Sequence, residues 1–458
     1  MRRRRRRVIL GVALVLVVIA IGPTDLLQRW TGLEPGPAVT LALVMLAAVL
    51  WVTEAVPLFV TSFVILILEL GWLRPVLLDH GVDVPSSRFL APFFSNVVLL
   101  FLGGFVLSAA FRRFRLDERL ARRVLDRSGG EPAKVLAAMI AVTALLSMWM
   151  SNTATAAMML GLAMPLLSQV PDDDPFRRAL PLGIAFGANF GGIGTPIGTP
   201  PNAIAVEAMI GEGNAPDFAS WLVMALPMLV VFLALTWGLL VRMYPAGVER
   251  VSMAEGEPIE DSSGTRLVLS VAVLTILLWL TSGVHPLETG TVALIPVVVF
   301  FGARILTNED FRRLPWDVLI LAGGGLSLGA AVEASGLSHV VVSLIPEGMG
   351  PLWLATALAL IAGLMTTFMS NTATANLLVP VVVGISEMPT APLLMVVAYA
   401  CSCTMILPVS TPPNAIAFSS GYLTTRDLVR PALILSALAL AVSCTVGPLW
   451  WSLFLEVR

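Results

Sequence analysis

Long apolar runs, most of them near the ~20 residues that a bilayer requires, fill this chain and are separated by short polar connections. They predict spans at 8–24, 38–55, 57–73 and 94–111, a motif-bearing region at 133–168, an interrupted span at 179–211 and a long span at 217–243. After a polar stretch the plan recurs, with spans at 266–283, 288–303 and 316–334, a second motif region at 351–387, an interrupted span at 391–421 and a last span at 429–455. Two pieces have a different rhythm. From Arg112 to Asp126 six arginines alternate with Phe114, Leu116, Leu120, Val124 and Leu125, the pattern of a helix lying in the interface, and a shorter amphipathic piece falls at 337–346. The pattern therefore predicts an all-α polytopic membrane protein of about 11 transmembrane helices.

Polar strings interrupt the apolar sequence, and they come in pairs. Met-Ser-Asn-Thr-Ala-Thr-Ala occurs at Met150–Ala156 and again at Met369–Ala375. Each copy is followed by a second shared string, Gly198-Thr199-Pro200-Pro201-Asn202 in the first half and Ser410-Thr411-Pro412-Pro413-Asn414 in the second. Unpaired polar groups in hydrocarbon cost several kcal/mol each, so such strings persist only where they line a cavity or bind something. Gly103-Gly104 and Gly323-Gly324 align at nearly the same offset, so the two halves are an internal repeat.

Composition agrees: 57% of residues are hydrophobic and 13% charged, with a mean hydropathy of +0.89, far more apolar than a soluble domain. The net charge of -2 hides an asymmetric distribution. If each motif region is a hairpin entering and leaving on one side, corresponding spans of the two halves face opposite ways. Lys134 and every arginine except Arg29, Arg74, Arg88 and Arg458 then fall on the cytoplasmic side. Hairpins that crossed completely would redistribute those basic connections. The amino terminus, Arg2–Arg7 before an apolar run, reads as an uncleaved first span with its arginines in the cytoplasm, since no small-x-small cleavage signature follows. This places the protein in the cell (inner) membrane. Cys401, Cys403 and Cys444 lie in apolar segments and read as packing residues.

In each predicted hairpin the Ser-Asn-Thr string sits at the tip, where one arm ends and the other begins. Free backbone N–H groups and the positive end of a helix gather there. The Thr-Pro-Pro-Asn strings break their spans, because proline lacks an N–H and disfavours helix in the residue before it, which leaves carbonyls free. Free carbonyls suit a hard cation such as sodium, and free N–H groups suit a carboxylate. One turn before each tip lies another hydroxyl, Ser147 or Thr366. The repeat thus nominates two oxygen cages: Ser147, Ser151, Asn152 and Gly198 in the first half, and Thr366, Ser370, Asn371 and Ser410 in the second. Thr153, Thr372, Thr199, Thr411 and Pro412, with the tip residues Ser151, Asn152, Ser370 and Asn371, are candidates to face a shared substrate.

The paired Ser-Asn-Thr and Thr-Pro-Pro-Asn strings resemble those of the divalent anion/sodium symporters, the di- and tricarboxylate transporters, and the resemblance covers nearly the whole chain. It implies a homodimer whose scaffold holds the dimer interface while a transport domain of hairpins and broken helices moves as an elevator. Scaffold helices and the interfacial helix would occupy 1–132 and 266–350, the transport domain 133–243 and 351–458, and a cytoplasmic linker 244–265. The resemblance also implies sodium ions at the two tips and a dicarboxylate between them, with no organic cofactor. Ser410 departs from the family, which has a smaller residue there; a carbonyl ligand is indifferent to that change.

Other classes fit less well. The chain has no H-E-x-x-H, P-loop or nucleotide fingerprint, and His80, His285 and His339 lie away from the repeated strings, which disfavours a membrane enzyme. A channel is disfavoured by duplicated tips, and nothing points to nucleic acid. Glu54, Glu288, Glu333 and Asp317, near span ends, read as structural or solvated, and the Gly-Gly pairs as close helix contacts. With no lysine or arginine at either tip, a dianion would be neutralised by bound cations and helix dipoles, which ties substrate binding to the coupling ion. The expectation is sodium-coupled uptake of a C4-dicarboxylate such as succinate. Sodium-independent dicarboxylate exchange and transport of sulfate or another oxyanion are the alternatives.

Overall fold

The computed structural model describes residues 24–251, 262–343, 350–385 and 390–455, and among them every regular element is a helix. The predicted first span up to Pro23, residues 252–261 of the central linker, Ser386 and Arg458 lie outside the described residues. In chain order the main helices are α1 (Pro35–Thr53), α2 (Leu58–Asp79), α3 (Asn96–Arg113), α4 (Leu116–Asp126), α5 (Pro132–Ser147), α6 (Asn152–Leu167), α7 (Phe176–Gly191), α8 (Pro200–Gly211) and α9 (Phe218–Met243). The second half supplies α10 (Ser263–Leu280), α11 (Thr289–Gly302), α12 (Trp316–Ala334), α13 (Pro351–Phe368), α14 (Asn371–Val383), α15 (Thr390–Cys403), α16 (Pro412–Ser419) and α17 (Thr425–Trp451).

Eight helices among the described residues are long and apolar enough to cross a membrane. Most of the rest, α4 and α11 apart, are shorter because the repeated strings divide them. α5 and α6 form one hairpin and α13 and α14 the other, each turning at its Ser-Asn-Thr string. α7–α8 and α15–α16 are the two broken helices, each resuming at its first Thr-Pro-Pro proline. Two elements differ from expectation. α2 runs on to Asp79 through a π-helical turn at Glu69–Leu73, and α11 has only 14 residues. The π turn carries a buried carboxylate that pattern reading passes over. Glu69 Oε2 accepts from Ser327 Oγ of α12 (2.5 Å), and the same hydroxyl lies 2.9 Å from the Phe89 carbonyl, tying three segments together.

Polar contacts between loops sort the helix ends into two faces. Arg113, at the end of α3, donates to Asp310, just before α12 (2.8 Å). The Val251 amide donates to the Gly130 carbonyl (2.9 Å), the Tyr244 hydroxyl to the Asp427 carbonyl (2.8 Å), and Arg177 stacks over the Tyr422 ring. Burial pushes the Tyr244 phenol up to about 12, so it serves there as a neutral donor. On the interfacial helix α4, hydrogen bonds from Arg115 and Arg122 hold the Glu118 carboxyl below the usual carboxylate range. All these arginine-rich loops share one face. The opposite face carries the Arg88–Glu333 ion pair (2.6 Å) and the Asn96–Thr289 bond (3.2 Å). Since α3 ends on the face where its counterpart α12 begins, the repeats are inverted.

Packing follows the repeat. α5 lies on α7 as α13 lies on α15, α7 meets α9 as α15 meets α17, and the halves cross over, α7 against α16 and α15 against α8. One group of contacts breaks this symmetry. α14 packs on α12 and α1, and α8 on α3 and α12, while their counterparts α6 and α16 pack chiefly on each other and on their own bundle. The two groups of helices therefore pack more extensively on the side of the Arg88–Glu333 face.

The α3–α11 contact is the most extensive in the fold and depends on Gly103, where a Cβ would fall on the Ala293 backbone. Gly103→Val should destabilise the purified protein by about 1–3 kcal/mol through overpacking. Gly161→Ala, with open space around it, should leave the thermal unfolding midpoint unchanged or slightly raised.

Candidate substrate and cation site

At the first tip α5 ends at Ser147 and α6 begins at Asn152. The Ser147 hydroxyl lies 2.7 Å from Asn152 Oδ1 and 2.8 Å from the Ala188 carbonyl of α7. The second tip repeats the arrangement: Thr366 Oγ1 is 2.5 Å from Asn371 Oδ1 and 3.3 Å from the Cys401 carbonyl of α15. Each cluster gathers three oxygens around one hydroxyl hydrogen, and in the first the Ala188 carbonyl also accepts from the Gly192 amide. Carbonyl and amide oxygens each have two lone pairs, so lone pairs remain in a buried place, a composition that suits a hard cation. Ser147 and Thr366 are fully buried.

The breaks are pinned by the asparagines of the Thr-Pro-Pro-Asn strings. Asn202 Nδ2 donates to the carbonyls of Gly192 (3.0 Å) and Thr195 (2.8 Å), and Asn414 Nδ2 to those of Met405 (2.7 Å) and Leu407 (3.1 Å). These are carbonyls that lose their helical partners where the chain unwinds. Asn189 Nδ2 then donates to Asn414 Oδ1 (3.1 Å), joining the two broken helices. The first tip is fixed further by Trp149, stacked on Phe218 (5.9 Å between centroids) and Trp279 (6.4 Å).

Between the tips lies a cavity of about 510 Å³. Ser151, Asn152, Thr153, Gly198, Thr199, Ser370, Asn371, Thr372, Ser410, Thr411 and Pro412 all line it, while Ser147 and Thr366 do not and are bonded to the lining asparagines Asn152 and Asn371. Four helices, α6, α8, α14 and α16, begin at its wall. Each N-terminus carries roughly +0.5 of an elementary charge, so together they offer nominally about +2 with no cationic side chain among the described lining residues. Ser151 and Thr199 cap their helices without a side-chain hydrogen bond, which leaves their hydroxyls available. Ser370 and Thr411 accept from the Ala373 and Asn414 amides (3.1 and 3.4 Å).

Sequence reading found the tips and missed their supports. The Ala188 and Cys401 carbonyls carry no side-chain signal. Asn202 and Asn414 stood in the repeated string and were legible there as polar residues beside a break. Gly198 and Ser410 are equivalent by position but differ in packing: a Cβ on Gly198 would strike the Gly192 backbone, whereas Ser410 Oγ accepts from the Leu407 amide (3.0 Å) and donates to the Thr367 carbonyl (3.2 Å). The departure at Ser410 is therefore a strut between break and hairpin.

A family model described as a citrate transporter (CitMHS) matches residues 48–388. A Haemophilus influenzae protein described as an uncharacterized transporter is 32% identical over 467 residues, covering 97% of this chain and 96% of that relative. A sodium-dependent dicarboxylate transporter of Staphylococcus saprophyticus, SdcS, is 30% identical over 474 residues, covering 93% and 89% respectively. Among solved structures the Alcanivorax borkumensis YdaH transporter superposes with a TM-score of 0.58 at 13% identity over 86% of this chain and 98% of that one, a likeness of fold alone.

Asn414→Ala removes the amide donor to the Met405 carbonyl, one of two donors to the Leu407 carbonyl, which keeps the Ser410 amide, and the oxygen acceptor of the Asn189 amide, which keeps Met405 Sδ. It should lower the thermal unfolding midpoint, at a cost of about 1–3 kcal/mol for the orphaned Met405 carbonyl, and more than Asn202→Ala, whose amide serves two carbonyls and no second asparagine.

Proposed function

The chain belongs to the citrate transporter family, among the divalent anion/sodium symporters that its motifs resemble, and on that premise we propose that it is a sodium-coupled symporter of C4-dicarboxylates such as succinate. It is a multi-pass membrane transporter, not an enzyme. The observation that carries the finer reading is the pair of matched hydroxyl, amide-oxygen and carbonyl clusters at the tips, flanking a cavity on which four helix N-termini converge.

In this reading a sodium ion binds at each tip: at Ser147, Ser151, Asn152 and Gly198 in one, and at Thr366, Ser370, Asn371 and Ser410 in the other, with the Ala188 and Cys401 carbonyls as additional ligands. The dicarboxylate lies between, against Ser151–Thr153, Ser370–Thr372, Thr199, Thr411 and Pro412. Bound cations fix the asparagines that also bound the substrate cavity, so the ion and the anion favour each other by contact and by charge. The transport body, 133–243 and 351–458, slides as an elevator against a scaffold of 1–132 and 266–350, joined by the linker 244–265, in a homodimer of the inner membrane. With the amino terminus in the cytoplasm, the packing asymmetry of α14 and α8 favours a cytoplasm-facing state.

Labelled succinate uptake into proteoliposomes tests coupling. An inward sodium gradient should accelerate it, equal rates without the gradient would remove the sodium claim, and a requirement for internal substrate would mark exchange. Competition by C4 to C6 carboxylates and sulfate should rank C4-dicarboxylates first.

Ser147→Ala and Thr366→Val should each raise the sodium concentration for half-maximal uptake by about tenfold, the equivalent of one lost ligand worth ~1.4 kcal/mol. An unchanged sodium dependence in both would remove the tip sites.

A further inference from the structure

The cavity between the tips has an acidic rim. Of the described residues that line it, one is ionisable, and it is Glu54. This residue closes α1 in the left-handed conformation (φ 47°, ψ 37°), which a side chain adopts only where its surroundings impose it. Here the imposing contacts are visible: the buried Trp51 indole donates across the turn to the Leu58 carbonyl (3.2 Å), and the Thr53 hydroxyl folds back onto the Val49 carbonyl (2.6 Å). No arginine or lysine pairs with Glu54 among the described residues. On the same face, Arg113 pairs with Asp310 and Arg313 with Glu309. The carboxyl end of α1 adds its own negative partial charge beside the carboxylate. Pro315 and Val318, at the start of α12, line the same wall on the arginine-rich face, and Glu54 is itself exposed, so it stands where the cavity meets solvent.

A negative group at the mouth of an anion cavity works against the anion, and the more so the higher the anion's charge. We propose that Glu54 is a charge filter that sets the preference for dianions over trianions and promotes release on its own side. The inference rests on the anion reading of the cavity given above. Coulomb repulsion is linear in substrate charge, so removing the Glu54 charge multiplies affinity by a factor that grows as a power of valence. A threefold gain for a dianion implies roughly a fivefold gain for a trianion, the three-halves power of the first. A residue that merely shaped the turn would change affinity without regard to valence.

The measurement is equilibrium binding of succinate, sulfate and citrate, the last at a pH where it is a trianion, to purified full-length protein in saturating sodium. Wild type, Glu54→Gln and Glu54→Asp are compared, and the unliganded thermal midpoint reports on folding. Glu54→Gln should bind succinate about threefold and citrate about fivefold more tightly than wild type, with the gain shrinking as choline chloride is raised to 1 M. Glu54→Asp should stay near wild type. A ratio of one at low salt for whichever anions bind, or the same gain for dianion and trianion, overturns the filter. Wild-type protein that binds sulfate but neither carboxylate removes the dicarboxylate reading instead, and its sulfate ratio still judges Glu54.

Discussion

A hydroxyl bonded to an asparagine five residues later, across a break in the helix, is the contact on which both halves of this protein depend. Ser147 with Asn152 and Thr366 with Asn371 close the tips of the two hairpins, and each hydroxyl also leans on a carbonyl of the adjacent broken helix. A chain surrounded by lipid has no water to satisfy an interrupted helix, so the interruption must be satisfied from within. Side-chain amides do most of that work here. Asn202 and Asn414 gather the carbonyls freed at the breaks, and Asn189 links one break to the other.

The tips gather buried oxygens with lone pairs to spare, and the proposed cation sites rest on that surplus. Four helix N-termini around the same cavity supply the complementary field for an anion. No fixed positive side chain among the described lining residues competes with them, so the affinity proposed for a dicarboxylate depends on ions that come and go. A permanent lysine or arginine would hold the anion whether or not sodium was present, and coupling would weaken. Glu54 extends the same logic to the rim, where a fixed negative charge makes the unaccompanied anion less welcome.

Two copies of one structural plan do not make a symmetric molecule. The hairpins and broken helices obey the pseudo-two-fold closely, down to matched hydrogen bonds, yet α14 and α8 pack on α12, α1 and α3 while α6 and α16 have no equivalent contact of that extent. Asn376 of α14 donates to the Leu321 carbonyl (3.0 Å) and lies against Gly325, contacts belonging to one side of the molecule only. Inverted repeats that obeyed the axis completely would leave the cavity equally placed toward both faces. Departure from symmetry is what gives it a mouth.

Much of this was legible in the residues. The apolar runs set the helices, the prolines at 200, 201, 412 and 413 set the breaks, and the twofold occurrence of Ser-Asn-Thr singled out the tips, because a string repeated in a costly environment has a reason to be there. The positions of arginine implied inverted halves, which the pairing of Arg113 with Asp310 bears out. Other features were not legible. Backbone carbonyls such as those of Ala188 and Cys401 have no letter in the sequence. Glu69 hides in an apolar run because its partner Ser327 comes from a distant helix. Glu54 read as a structural or solvated residue near a span end, since only the assembled bundle brings the end of α1 to the rim of the cavity. Local sequence determined where the chain bends and which polar groups it carries there, because backbone chemistry is local. Tertiary structure alone decided which of those groups share a cavity and toward which face it opens, because both depend on contacts between segments far apart in the chain.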